Sequence, residues 1–120
     1  TLQISVNDQH LKELYNRALL FVYPSYYEGF GIPILEAYTC NCPVALSQAS
    51  CFPEIAENAA AYFDPFSVSS MAEAIKSVIY DEAERTRLIL AGKERIKLYS
   101  WEKATRQTEL VYRKVAKAVF

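Results

Sequence analysis

Residues 19–37 read Leu19-Leu20-Phe21-Val22-Tyr23-Pro24-Ser25-Tyr26-Tyr27-Glu28-Gly29-Phe30-Gly31-Ile32-Pro33-Ile34-Leu35-Glu36-Ala37. The first five are apolar or aromatic without alternation, which suits a strand buried on both faces, as in a parallel sheet. Pro24-Ser25 stops that run, and Tyr26 to Ile32 reads as a loop holding Gly29 and Gly31. Pro33 suits the first residue of a helix, where its missing N–H costs nothing. Ile34, Leu35, Ala37 and Tyr38 carry the helix to about Cys40, and Asn41 fits the left-handed position that closes it. Ligands of open parallel sheets bind beyond the carboxyl ends of the strands, where such a strand–loop–helix turn sits.

On the N-terminal side, Leu2 to Val6 reads as a short strand. Asp8 is a plausible N-cap for a helix with Leu11, Leu14, Tyr15 and Ala18 on one face. On the C-terminal side, Pro43 to Leu46 and Ala60 to Phe63 read as further strands. Ser70 and Glu73 have capping-box spacing, with Met71, Ala74, Ile75 and Val78 on one face of the helix that follows. Asp81 and Glu84 repeat the box for a helix to about Leu98. Ser100 caps a last helix whose stripe is Trp101, Ala104, Thr108, Val111, Val115 and Val119. The expected class is α/β: part of a doubly wound, Rossmann-like parallel sheet with flanking helices and a helical C-terminal end.

The chain has 120 residues, enough for one core, so residues 1–120 are read as one domain or part of one. Apolar residues make up 52%, which argues for an ordered body rather than a linker. Net charge is −1, and the basic residues near the end (Lys93, Arg95, Lys97, Arg106, Arg113) are interspersed with Glu94, Glu102 and Glu109. A solvated helix face explains that pattern better than nucleic-acid binding, and it leaves a peripheral membrane contact open. Cys40, Cys42 and Cys51 lack metal-site spacing and read as small buried residues of a reducing compartment. No apolar run is long enough to span a bilayer and no signal peptide opens the chain, so the expected location is the cytoplasm.

Gly29 and Gly31 allow close approach of backbone to a ligand. The helix start offers free amides at Ile34 and Leu35 and the positive end of its dipole, a site for phosphate. Glu28 and Glu36 flank this feature. With a diphosphate at the helix terminus, one carboxylate reaches each end of the ligand, and carboxylates accept hydrogen bonds from sugar or ribose hydroxyls. Taken singly, a glutamate in a first helical turn is ordinary dipole stabilisation, and spacing alone leaves structural and binding roles both open.

The segment Pro24-Ser25-Tyr26-Tyr27-Glu28-Gly29-Phe30-Gly31-Ile32-Pro33-Ile34-Leu35-Glu36-Ala37 resembles the signature of retaining glycosyltransferases of the GT-B fold, the glycosyltransferase family 4 type. Likeness continues through Cys42-Pro43-Val44, Pro53-Glu54-Ile55, Ala59-Ala60, Phe63-Asp64-Pro65 and Tyr99-Ser100-Trp101. Asn41 stands where the family commonly has glycine, and Glu57-Asn58 where it has Gly-Asp.

The resemblance implies that Glu28 contacts the hydroxyls of the donor sugar and is the catalytic residue, helped by the amides of Gly29, Phe30 and Gly31. It implies that Ile34 and Leu35 amides hold the diphosphate and that Glu36 binds the ribose, with Ser25 near the base. Glu54 is read as bracing its loop. The implied reaction is transfer of a sugar from a nucleotide-diphosphate donor to a glycan or glycolipid acceptor, with retention and with neither cofactor nor metal. The family also implies an acceptor domain and an Arg/Lys pair upstream, so the 120 residues alone are expected to be inactive. Two βα units would normally precede the Phe21 strand, so the Leu2–Val6 segment is expected to be displaced, disordered or paired with another copy. A non-catalytic nucleotide-binding module is the alternative. A glycoside hydrolase using both glutamates is disfavoured, because it has no use for a phosphate-binding helix terminus.

Overall fold

The computed structural model describes residues 3–119. Helix α1 (Asp8–Arg17) leads into strand β1 (Phe21–Tyr23), helix α2 (Ile32–Thr39) and strand β2 (Val44–Ser47). Helix α3 (Phe52–Ala56), strand β3 (Ala60–Phe63), and helices α4 (Val68–Ile79), α5 (Glu82–Ile96) and α6 (Trp101–Val119) complete the chain. The strands form one parallel sheet in the order β1-β2-β3, with Phe21 opposite Val44 and Val44 opposite Ala60. The α/β class with a parallel sheet, flanking helices and a helical end is therefore as expected.

Alternation along the strands sorts the core into two layers. Val44, Leu46, Phe21, Tyr23 and Tyr62 face the cluster built on Tyr15, Ile34, Tyr38, Phe52 and Ile55. Ala45, Phe63, Val22 and Ala61 face the other side, where Ala74 and Met71 of α4 cover them. The central strand β2 is buried throughout, whereas β1 is only half-buried. Phe21 and Tyr23 pack on one layer and Val22 on the other, so β1 is covered on both faces as the unbroken apolar run suggests; it is only half-buried because, among the described residues, β2 flanks it on one side alone.

Gln3 to Val6 carry no strand, and Ile4 and Val6 are exposed. Leu2 lies outside the described residues. The predicted first strand is thus corrected: a short segment without a hydrogen-bonding partner has nothing to hold it extended, and it stands off the sheet.

Cap positions also shift. Asn7, not Asp8, caps α1, its side chain accepting the His10 N–H at 2.9 Å. Ser67, not Ser70, caps α4, and Ser70 Oγ instead accepts from Asp64 N–H at 3.0 Å. Asp81 and Ser100 cap as expected, through Glu84 N–H and Lys103 N–H. Asn41 takes φ 56, and the Cys42 and Asn41 amides reach back to Ala37 and Tyr38 carbonyls, the two bonds of a Schellman motif. Helix α3 has no counterpart in the sequence reading. Its carbonyls are satisfied from α5: Arg95 donates to Ile55 O at 2.9 Å and to Glu54 O at 2.8 Å while pairing with Glu57. The bracing read for Glu54 runs through its backbone carbonyl, which accepts from Arg95. Cys42 is buried, and burial pushes its thiol up to about 11, but Cys40 and Cys51 are only half-buried.

Gly92 of α5 lies against the Tyr38 ring, whose hydroxyl donates to Ala59 O at 3.1 Å. A Cβ at Gly92 would come within 2.5 Å of Tyr38 Cδ1, and that buried, tethered ring has no room to retreat. Alanine gains about 1 kcal/mol in helix propensity, but overpacking costs about 1–3 kcal/mol. Gly92→Ala is expected to lower the thermal unfolding midpoint; a midpoint at or above that of the parent protein would refute the close α2–α5 contact.

Helix α6 runs away from the body, so that the chain measures 59 Å along its long axis. Its described side chains are exposed, Trp101 by 80%. The predicted stripe through Val111 and Val115 thus meets no cover among the described residues. None of the described helices is long and apolar enough to cross a membrane.

Candidate functional site

The loop of residues 24–31 leaves the carboxyl end of β1 and turns into α2 at Gly31. Gly31 adopts φ 103, and a Cβ there would lie 3.0 Å from both Ile34 Cδ1 and Phe52 Cε1, so backbone and packing both require glycine. Gly29 differs: nothing lies within 4 Å of where its Cβ would be, and its φ is unexceptional. The chain itself gives no reason for glycine at 29.

Glu28 is half-buried and its carboxylate is steadied by Ser25, whose hydroxyl donates to Oε1 at 2.8 Å. Ser25 is thus placed against Glu28, at the start of the loop. Tyr23 lies on the inner side; burial first, and then the neighbouring Glu28, raise its phenol pKa. Among the described residues neither Glu28 nor Glu36 is paired with a lysine or arginine.

Glu36 stands one turn into α2 and accepts a hydrogen bond from the Tyr15 hydroxyl at 3.4 Å. Tyr15 is a core residue of α1; burial and then the Glu36 charge raise its pKa, which keeps the hydroxyl a donor. Glu36 forms the wall between two clefts. One, of about 770 Å³, runs from Phe30, Ile32 and Leu35 to Tyr99, Trp101 and Lys103. The other, of about 250 Å³, is lined by Asp8, Leu11, Lys12, Tyr15, Thr39 and Cys40. Glu28 lines neither cleft.

At the start of α2, the Ile34 N–H donates to Gly31 O at 3.0 Å, closing a tight first turn. The Ile34 amide, expected to be free for a phosphate, is therefore already taken, in a residue with no exposed surface. Exposed aromatic side chains surround the loop: Tyr27 is 81% exposed, and Tyr26 stacks on Phe66 from the loop after β3 with centroids 4.9 Å apart. Tyr38, by contrast, is buried in the core.

Sequence reasoning placed Ser25, Glu28, Gly29, Phe30, Gly31, Ile34, Leu35 and Glu36 on one turn, and one turn holds them. It missed Tyr15, Ser50 and Cys51, which touch this turn from elsewhere. A tyrosine on a helix face otherwise lined by leucines was a usable signal, because a buried phenol needs a partner. Ser50 and Cys51 gave no such signal.

Known proteins are similar to this chain in sequence and in fold. The family model "Glycosyl transferases group 1" matches residues 2–95. The O-antigen chain mannosyltransferase B of Escherichia coli is 40% identical over 108 residues, covering 90% of this chain and 28% of that protein. The chain therefore spans under a third of that relative's length. Sucrose-phosphate synthase from Thermosynechococcus elongatus superposes with a TM-score of 0.86 at 30% identity, over 98% of this chain and 30% of that one. The C-terminal domain of a glycosyl transferase group 1 family protein (LpcC) from Francisella tularensis shares the fold, with a TM-score of 0.69 at 24% identity, over 81% of this chain and 51% of that one. With a family model matched over most of its length, the chain belongs to the glycosyl transferases group 1 family, with the architecture of the C-terminal part of a GT-B glycosyltransferase.

Proposed function

We propose that the protein transfers a sugar from a nucleoside-diphosphate sugar to the hydroxyl of a glycan or glycolipid acceptor, with retention at the anomeric carbon, and that residues 24–37 form part of the donor site. One observation carries this reading. Glu28 is a carboxylate aimed by a neutral hydroxyl, unpaired with any cation among the described residues, beside a glycine whose missing side chain leaves open space. Such a group keeps its full charge and lone pairs beyond the one Ser25 uses to accept hydroxyls, and Gly29 lets a ring come close.

In this reading Glu28 grips the sugar and stabilises an oxocarbenium-like state, assisted by the amides of Gly29, Phe30 and Gly31. The start of α2, through the Leu35 amide and the positive end of the helix dipole, holds the diphosphate. Glu36, steadied by Tyr15, binds the ribose. Ser25 acts on Glu28 rather than on the base. The leaving diphosphate helps take the acceptor proton, and neither a cofactor nor a metal enters the scheme. The remaining donor contacts and the acceptor site come from outside these 120 residues, which by themselves are expected to be inactive. A cytoplasmic location, with the basic side of α6 at the inner face of a membrane, fits a lipid-linked acceptor.

The full-length protein, incubated with a panel of nucleotide sugars with and without acceptor glycans, is expected to release nucleoside diphosphate in an acceptor-dependent way. The similarity to a mannosyltransferase puts nucleotide-linked mannose first in the panel. Nucleoside diphosphate binding without turnover on every donor and acceptor supports the binding-module alternative. Hydrolysis of glycans without any nucleotide sugar contradicts both.

A further inference from the structure

The loop that carries Glu28 is held by a second loop, the one that follows β2. Ser50 Oγ accepts the Glu28 N–H at 3.3 Å and donates to the Glu28 carbonyl at 2.7 Å, so one hydroxyl closes on both backbone groups of one residue. Cys51 adds its thiol, 3.3 Å from Glu28 O and 3.0 Å from Phe30 O. Glu28 is thus tethered at the side chain by Ser25 and at the backbone by Ser50. Both tethers are neutral hydroxyls, which fix the carboxylate without cancelling its charge.

Ser50 also stands at φ 54, a left-handed conformation that costs an L side chain about 1 kcal/mol or more. Glycine would take this conformation freely. Plain contact between two crossing loops would be served by glycine at least as well, and Ser50 is exposed, so it contributes little buried surface. What serine supplies and glycine lacks is the hydroxyl on Glu28. Backbone strain kept at a position whose only visible work is to hold another residue marks a functional constraint.

We infer that Ser50, with Cys51 as a second contact, is a positioning residue for the sugar-binding loop: it sets the reach of Glu28 and the direction of the Gly29–Gly31 amides. The word "sugar" rests on the donor-site reading above; the clamp itself rests on the contacts.

The test is Ser50→Gly in the full-length protein, because glycine keeps the backbone conformation and removes the hydroxyl together with only an exposed methylene. Hydrogen–deuterium exchange at the Glu28 amide is expected to quicken about fivefold, the effect of losing one hydrogen bond. In the same variant kcat for sugar transfer is expected to fall about tenfold through misplacement of the loop. The Kd for nucleoside diphosphate alone should stay within about twofold, since that ligand engages α2 and Glu36 rather than Glu28, and the unfolding midpoint should hold or rise. Unchanged exchange at Glu28 overturns the clamp. A fall in nucleoside diphosphate binding parallel to kcat overturns it too, because that is general loosening. A parent protein that turns over no nucleotide sugar overturns the donor-site reading instead, and exchange then decides the clamp on its own.

Discussion

Glu28→Gln is expected to lower sugar transfer by the full-length protein about 10²- to 10³-fold, the usual cost of removing one electrostatic stabiliser of a transition state. The replacement is nearly isosteric. Its side-chain oxygen still accepts the Ser25 hydroxyl that now sits 2.8 Å from Oε1, so the loop should keep its shape. What disappears is the negative charge, along with the ability to accept through both oxygens. Because the carboxylate has no cationic partner among the described residues, the substitution leaves no stranded counter-charge to confuse the result. Nucleoside diphosphate should bind the variant nearly as tightly as the parent, since its contacts lie on α2. Glu28→Ala should lose at least as much activity. Near-normal turnover by either variant removes Glu28 from the proposed chemistry.

Phe52→Ala carries the largest expected effect on stability. Phe52 opens the short helix α3 and is 1% exposed. Its ring lies 5.0 Å from that of Tyr23 between centroids and forms the floor beneath Gly31. Phenylalanine-to-alanine changes at such sites cost about 3–5 kcal/mol. For a domain of this size that is a drop of roughly 10–20 °C in the unfolding midpoint. Phe52→Leu, which keeps most of the volume, should lose much less and provides a folded comparison. The ring also supports the turn at Gly31, so Phe52→Leu should weaken donor use more than its modest loss of stability suggests. A midpoint shift of only about 2 °C in Phe52→Ala would show that α3 is not an integral part of the core.

The two substitutions separate kinds of information that the chain carries differently. Glu28, both glycines and Glu36 were legible because they lie within nine residues of one another on a single strand–loop–helix turn. Local conformational rules and side-chain chemistry suffice to read such a turn, and resemblance to a family reads it further. The caps at Asp81, Ser100 and Asn41 were legible for the same reason, since each acts on its own backbone within a few residues. Where two candidate caps compete, as with Asn7 against Asp8 or Ser67 against Ser70, the entry path of the chain decides, and composition does not encode it.

By itself, then, the sequence determined the α/β class, the parallel strands at Val44 and Ala60, and the turn that holds the candidate site. The tertiary structure decided the rest. Among the described residues it put β1 at the end of the sheet and left Gln3–Val6 off it. It tied α3 to α5 through Arg95 and brought Tyr15 to Glu36 and Ser50 to Glu28. The physical reason is range: helix periods, caps and glycine conformations act over a few residues, whereas each of these contacts joins groups more than twenty residues apart through the packing of whole elements.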